Sequence, residues 1–267
     1  MKTRPWMLGW LWLWLWLWLL PLMAWAAAEP DYAREQRLRD EIVDAILDGD
    51  PVDLEAEGRV FLGIYTEAEA PRGAVLILHG RGYHPDWADV VNPLRVGLAE
   101  QGWNTLSIQL PVLHKEAKYY DYVPLFEHAV PRIRAALEFL REQGNERIVL
   151  IAHSCGAHMA MQYVRELGEE GFDAFVGIGM GATDYRQPML EPFPLERMKK
   201  PILDLYGSDD YPAVQRLAAL RVQQMKDWAH PNYSQRKLPD ANHYFTDRGD
   251  LLLDAVGGWL DRLYPAP

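Results

Sequence analysis

Short, wholly apolar runs alternate along this chain with longer stretches in which apolar residues recur every three or four positions. That alternation predicts a mostly parallel sheet flanked by helices, an α/β architecture. Strands are expected at 60–65, 74–78, 104–110, 148–152, 174–180, 202–206 and 233–238, with right-handed crossovers between the parallel ones. Helical spacing is plain at 130–140 and 251–263, and a helix is expected to begin near Ala157. At 34–47, Leu38, Ile42, Ala45 and Ile46 share one helical face, while Arg39, Asp40, Glu41 and Asp44 mix their charges elsewhere. Such a segment reads as an amphipathic helix packed on the body, because mixed charge gives no attraction to anionic lipid. Residues 29–56 are therefore expected to form this helix and a linker, and 57–267 the main domain.

The N-terminus breaks the alternation. Lys2 and Arg4 precede a run of mainly Leu and Trp over 7–23, which ends in Ala24-Trp25-Ala26-Ala27-Ala28. This is the pattern of a secretory signal peptide over 1–28, cleaved after Ala26 or Ala28, and it predicts a periplasmic or secreted domain. The stretch from Trp6 to Ala28 could also span a bilayer uncleaved, which makes a membrane anchor the alternative. Seven of the chain's 11 tryptophans lie here, so the aromatic content of the remaining chain is lower than the whole suggests. No cysteine follows the apolar run, which excludes a lipoprotein anchor, and the single Cys155 cannot form an internal disulfide.

Candidate chemistry begins where the apolar run 147–151 meets Ala152-His153-Ser154-Cys155-Gly156. A serine at a sharp strand-to-helix turn, with small residues two before and two after, has its hydroxyl exposed in strained geometry; this is a nucleophile elbow. The usual pattern has glycine at both flanking positions, and Ala152 adds one methyl; an ordinary helix cap is the plainer alternative. An activated serine needs a base and an acid to orient it. The base candidate is His243, in a loop between the expected strand 233–238 and the last helix, whereas His153 and His158 lie too near the serine in sequence. The acid candidate is Asp210, three residues past Gly207, with Asp209 its competitor and Asp204 a strand residue better suited to a buried structural bond. Upstream, the strand 74–78 opens into His79-Gly80-Arg81-Gly82, where flanking glycines let the Arg81 backbone N–H approach a reacting carbonyl. The N–H of Cys155 would be the second oxyanion donor.

Together, His79-Gly80-Arg81-Gly82, Ala152 to Gly156, Gly207 to Asp210 and Asn242-His243 resemble the α/β-hydrolase superfamily over roughly residues 57–264. More narrowly, His84-Pro85-Asp86-Trp87, Gln101-Gly102-Trp103, Gln109-Leu110-Pro111 and Leu205-Tyr206-Gly207 are similar to bacterial exported proteins grouped as domain of unknown function 3530. The resemblance implies the α/β-hydrolase fold, with Ser154 as nucleophile, Asp210 as acid and His243 as base. The activity it implies is cleavage of an acyl ester through an acyl-enzyme, with a small-molecule or polymeric substrate. A non-catalytic envelope binding protein on the same fold and an acyltransferase using the same triad are the alternatives.

Charge and motif content exclude other classes. The net charge of -11, which becomes -13 if Lys2 and Arg4 leave with the leader, repels phosphate backbones, so no nucleic-acid partner is expected. His153 and His158 have no carboxylate-rich company, so no metal is expected, and no phosphate-binding glycine loop calls for a nucleotide cofactor. Only twenty residues, 181–200, separate the sixth strand from the acid's strand, too few for a large lid. The loop 111–126, with Tyr119, Tyr120, Tyr122 and Phe126 beside Lys115 and Lys118, either forms an aromatic wall over the elbow or packs as an ordinary loop.

Overall fold

The computed structural model describes residues 28–265; the leader expected over 1–28 lies, apart from Ala28, outside the described residues. The eight strands are β1 (Asp50–Ala56), β2 (Arg59–Thr66), β3 (Ala74–Leu78), β4 (Asn104–Ile108), β5 (Ile148–His153), β6 (Ala174–Ile178), β7 (Ile202–Asp209) and β8 (Tyr233–Asn242). They form one sheet in the order β1-β2-β4-β3-β5-β6-β7-β8. Pairing is antiparallel among β1, β2 and β4, and parallel from β4 through β8.

The continuous apolar runs follow from burial on both faces. Leu76 and Leu78 of β3 and Leu150 and Ala152 of β5 enter the larger core cluster, whereas Val75, Ile77, Val149 and Ile151 enter the other. Alternate side chains of a strand point to opposite faces, so a strand covered on both sides needs no polar positions. Helices α4 (Phe126–Glu142) and α5 (Cys155–Leu167), with the one-turn α3 (Tyr119–Tyr122), cover the first face, and α2 (Val91–Glu100) and α7 (Gly249–Leu263) the second. Helix α6 (Pro212–Asp227) follows β7 and reaches the first cluster through Met225.

Two expectations need correction at the N-terminal end. The linker expected before residue 57 is in fact β1, the antiparallel edge strand, whose exposed Asp50, Pro51, Asp53 and Glu55 hid it in the sequence. Acidic residues and proline are tolerated at an edge, where they also discourage pairing with another chain. Helix α1 (Tyr32–Ile42) is shorter than the expected 34–47, and a turn of 3-10 helix, Val43–Ala45, follows it. Of its expected apolar face Ile42 is buried, Leu38 and Ile46 are half-buried and Ala45 is exposed. The helix docks both ways: Ile42, with Ile46 beside it, packs on Leu62 and Ile64 of β2, while buried Glu35 pairs with Arg132 at 2.9 Å and Asp31 N–H donates to the Val112 carbonyl at 2.8 Å. No helix among the described residues is long and apolar enough to cross a membrane.

The segment between β6 and β7 contains a single turn of 3-10 helix, Leu195–Arg197, and no large lid. Strand β8 runs four residues beyond its expected end, through an irregularity opposite Gly207, to Asn242. That extension delivers His243 directly off the strand.

Candidate active site

Strand β5 turns into α5 at Ser154, whose φ of 53° and ψ of -115° lie where side chains are strained. Such a conformation costs on the order of 1–3 kcal/mol, and the surroundings hold it. The Ser154 N–H donates to the Ile178 carbonyl at 2.8 Å. Two residues on, a Cβ at Gly156 would sit 2.6 Å from the His79 carbonyl oxygen, so only glycine lets the elbow close against β3. The methyl of Ala152, by contrast, is fully buried in the core beside β3 and β6 and leaves the turn intact.

His243 and Asp210 meet at this serine. The His243 Nε2 lies 2.8 Å from Ser154 Oγ, and its Nδ1 lies 2.7 Å from Asp210 Oδ1. Asp210 is 3% exposed, whereas Asp209 is exposed on the strand end and makes no bond to His243, which distinguishes the two. The Tyr211 N–H also donates to Asp210 Oδ1, at 2.7 Å, and Gln215 Nε2 donates to the carbonyls of Ser208 and Asp210, fixing the turn. The Tyr211 ring stacks on His243 with centroids 4.5 Å apart. Asp204 is engaged elsewhere: fully buried, it accepts from Arg221 at 2.7 and 2.9 Å, and from Tyr233 and Gln235 at 2.7 Å each.

The other side of the site is the loop after β3. Neither the Arg81 nor the Cys155 N–H finds an acceptor among the described residues, and both residues line the cavity with Ser154. Three ties hold this loop. The His79 ring donates from Nδ1 to the Gly80 carbonyl at 2.7 Å and accepts at Nε2 from the Leu110 N–H at 3.0 Å, which joins the loop to the end of β4. Arg34 of α1 donates to the carbonyls of Gly82, at 2.9 Å, and Leu113. The Arg81 guanidinium grips Asp184 at 2.5 and 3.2 Å, and Asp184 also accepts from the Tyr119 N–H at 2.5 Å.

Burial sets the protonation of the groups around the serine. It lowers the pKa of His79 and His153 to about 3 and that of His158 to about 4, so all three are neutral near pH 7. A neutral His153 donates from Nε2 to the His243 carbonyl at 2.9 Å, packing beneath the histidine that faces the serine. Burial also raises the Cys155 thiol to about 12, which leaves it a protonated packing group. At Asp184, burial works in the opposite sense but is outweighed by the Arg81 guanidinium, and the carboxyl is held below its ordinary range.

Ser154 opens into a cavity of about 710 Å³. Tyr83, Tyr119, Tyr185, Tyr211 and Tyr244 wall it, and the 182–188 segment forms one side. Of the aromatic residues expected from the loop 111–126, only Tyr119 lines the cavity; Tyr122 and Phe126 are in the core and Tyr120 points outward. Sequence reasoning missed Gly179. Its φ is 60°, and a Cβ there would lie 2.8 Å from His243 Cε1 and 3.4 Å from Asp210 Oδ2, so glycine is what admits the His-Asp pair. The pattern Gly179-Met180-Gly181 at a strand end was the available signal. Arg34 and Asp184 were missed as well, and carry no local signature.

Comparison with known proteins agrees with this architecture. No curated protein is significantly similar to the chain. Among solved structures, a serine hydrolase without a lid from Xanthomonas campestris superposes with a TM-score of 0.61 at 15% identity, covering 83% of this chain and 98% of its own. The esterase Pf2001 of Pyrococcus furiosus gives 0.62 at 17% identity, over 80% of this chain and 91% of its own. Est1E from Butyrivibrio proteoclasticus gives 0.59 at 14%, over 80% and 98%. At such identities the likeness shows the fold, which is that of the α/β-hydrolases. A sequence family described as a protein of unknown function, DUF3530, matches residues 21–122 and 125–262, and with nearly the whole main domain inside those spans this chain is a member of that family.

Proposed function

We propose that this protein is an exported serine hydrolase that cleaves an acyl ester, with Ser154 as nucleophile, His243 as general base and acid, and Asp210 as the group that orients the imidazole. The observation that carries this reading is the continuous pair of bonds from Ser154 Oγ to His243 Nε2 at 2.8 Å and from Nδ1 to Asp210 Oδ1 at 2.7 Å. A binding protein that had abandoned catalysis would have no need to keep a strained serine, a buried acid and a histidine in register. The esterases among the structural neighbours support the same class of chemistry.

In the proposed cycle Ser154 Oγ attacks the ester carbonyl carbon while its proton passes to His243 Nε2. The carbonyl π electrons move onto oxygen, and the N–H groups of Arg81 and Cys155 receive that charge. Collapse of the tetrahedral species expels the alcohol, which takes the proton from His243 and leaves an acyl-serine. Water, deprotonated by the same nitrogen, then attacks the acyl carbon, and collapse of the second tetrahedral species releases the acid while the Ser154 oxygen takes the proton back from His243. Donor hydrogen bonds of this kind are each worth about 10²–10³ in rate. Export is proposed from the charged, Leu- and Trp-rich and alanine-ended leader alone; the intact mass of the protein recovered from the periplasm tests it.

Covalent labelling by a fluorophosphonate, located by peptide mapping, tests the mechanism. The expected adduct lies on Ser154 and is absent from Ser154→Ala, and the wild type releases nitrophenol from p-nitrophenyl butyrate. A folded protein that neither labels nor hydrolyses would refute the reading. Release of acid in place of a second ester separates hydrolysis from acyl transfer.

A further inference from the structure

The cavity over Ser154 has an unusual charge balance. The chain as a whole carries 38 acidic against 27 basic side chains, yet three arginines and only one acid, Asp184, line the cavity. Arg81 is already matched by the two oxygens of Asp184. Asp210, behind His243, is occupied by that ring and by the Tyr211 N–H. Arg186 and Arg216 form no ion pair among the described residues, and the Arg186 guanidinium lies 5.0 Å from the centre of the neighbouring Tyr185 ring. Both belong to the same wall, because the segment leading to Arg186 packs on α6 at Gly181, where a Cβ would lie 2.7 Å from Leu217. Two exposed, unmatched guanidinium groups therefore stand beside a serine in a chain whose net charge is otherwise negative.

A wall of this kind favours substrates that bring the missing charge. Arginine binds carboxylate and phosphate oxygens through paired N–H donors, and positive charge concentrated at the mouth of a cleft draws anions in. A neutral ester leaves both guanidinium groups to water, so they add nothing to its selection. We infer that the substrate is an acyl ester carrying a second, anionic group, carboxylate or phosphate, which Arg186 and Arg216 hold while the ester carbonyl lies over Ser154. This rests on the hydrolase reading above and narrows it to a substrate class.

Matched esters test the inference. One pair is p-nitrophenyl hemisuccinate against p-nitrophenyl butyrate, which places a carboxylate on the acyl side. The other is butyrylglycerol 3-phosphate against butyrylglycerol, which places a phosphate on the alcohol side. The expected result is a kcat/KM at least about tenfold higher for the charged member of one pair, equivalent to about 1.4 kcal/mol, and expressed mainly in KM. The pair that shows it tells which side of the ester carries the anion. The preference should shrink as salt rises from about 0.02 M to about 0.5 M, since exposed charges are screened over a few ångströms at high ionic strength. In Arg186→Gln/Arg216→Gln the charged-to-neutral ratio should fall to near one, and Arg216→Glu should bring it below the double variant's value. Equal rates on charged and neutral esters, or a preference that survives the double Gln variant, would overturn the inference and leave the hydrolase reading standing. Failure to hydrolyse any ester, with no label on Ser154, would overturn both.

Discussion

The two walls of the cleft are built on different terms. One wall, the loop after β3, is cross-tied: the His79 ring joins it to β4, Arg34 joins it to α1, and Arg81 joins it to Asp184. The opposite wall, 182–188 with the start of α6, has its backbone held at Ala182 by His158 and at Asp184 and Gln187 by side-chain bonds, but its Tyr185, Arg186 and Arg216 side chains are exposed and free, and both of those arginines lack an acidic partner among the described residues. A fixed donor is useful only if it is already in place when charge develops on the substrate, because reorganisation during the reaction would consume its benefit. Side chains that select a ligand work from an accessible rim. For the proposed reaction, the difference assigns transition-state stabilisation to the tied loop and substrate selection to the free side chains opposite it.

The sharpest way to break this division begins behind the serine. Asp210→Asn should lower kcat on p-nitrophenyl butyrate by about 10⁴, the loss that follows when an imidazole is no longer held in the right tautomer, whereas Asp209→Asn should stay within about twofold. Comparable losses in both would move the acid to the strand end. Next comes the tied wall itself: Arg34→Ala should lower kcat by about 10- to 100-fold with KM little changed, less than the 10²–10³ of a donor removed outright. Arg34→Lys should recover part of the loss through a single bond to Gly82. A fall in thermal stability with unchanged kcat would reduce Arg34 to a packing residue.

Acid supplies a third test. His79, His153 and His158 are neutral when folded down to about pH 3 to 4 but bind protons near 6.5 once unfolded. Below about 6.5 the unfolded chain therefore holds more protons, so stability falls with pH by up to about 1.4 kcal/mol per unit for each histidine. Urea midpoints measured from pH 7 to 5 should show this slope, and His79→Gln should flatten it. The smallest effect is expected on the free wall: Arg186→Gln and Arg216→Gln should leave the unfolding temperature within about 1 °C, since exposed substitutions away from packing and caps change little.

How much of this the sequence discloses depends on the range over which each feature acts. The elbow at Ser154 is legible because a strand, a serine and small neighbours are contiguous, and the order of Ser154, Asp210 and His243 adds a constraint that chance seldom meets. Strands 74–78 and 148–152 are equally plain, because a doubly covered strand must be apolar throughout. Strand β1 is not, since its edge position permits Asp53, Glu55 and Pro51, the residues that signal a loop elsewhere. The ties of the loop after β3 are illegible for another reason. Arg34 meets Gly82 across 48 positions and Arg81 meets Asp184 across 103, and no local pattern marks either partner. Gly179 is intermediate: a glycine pair at a strand end hints at a close approach without naming His243 as the neighbour.

The order in which these parts occur along the chain has a temporal meaning. A ribosome makes Arg34, the loop at 79–82, Leu113 and Ser154 well before it makes His243, which waits on β8, the last strand of the sheet. A nascent or prematurely terminated polypeptide that ends between α5 and β8 thus holds the serine and the loop after β3 but no partner for the hydroxyl. Under the proposed mechanism, a fragment left by a stalled ribosome carries the nucleophile without its base, so reactivity toward esters waits until β8 is made.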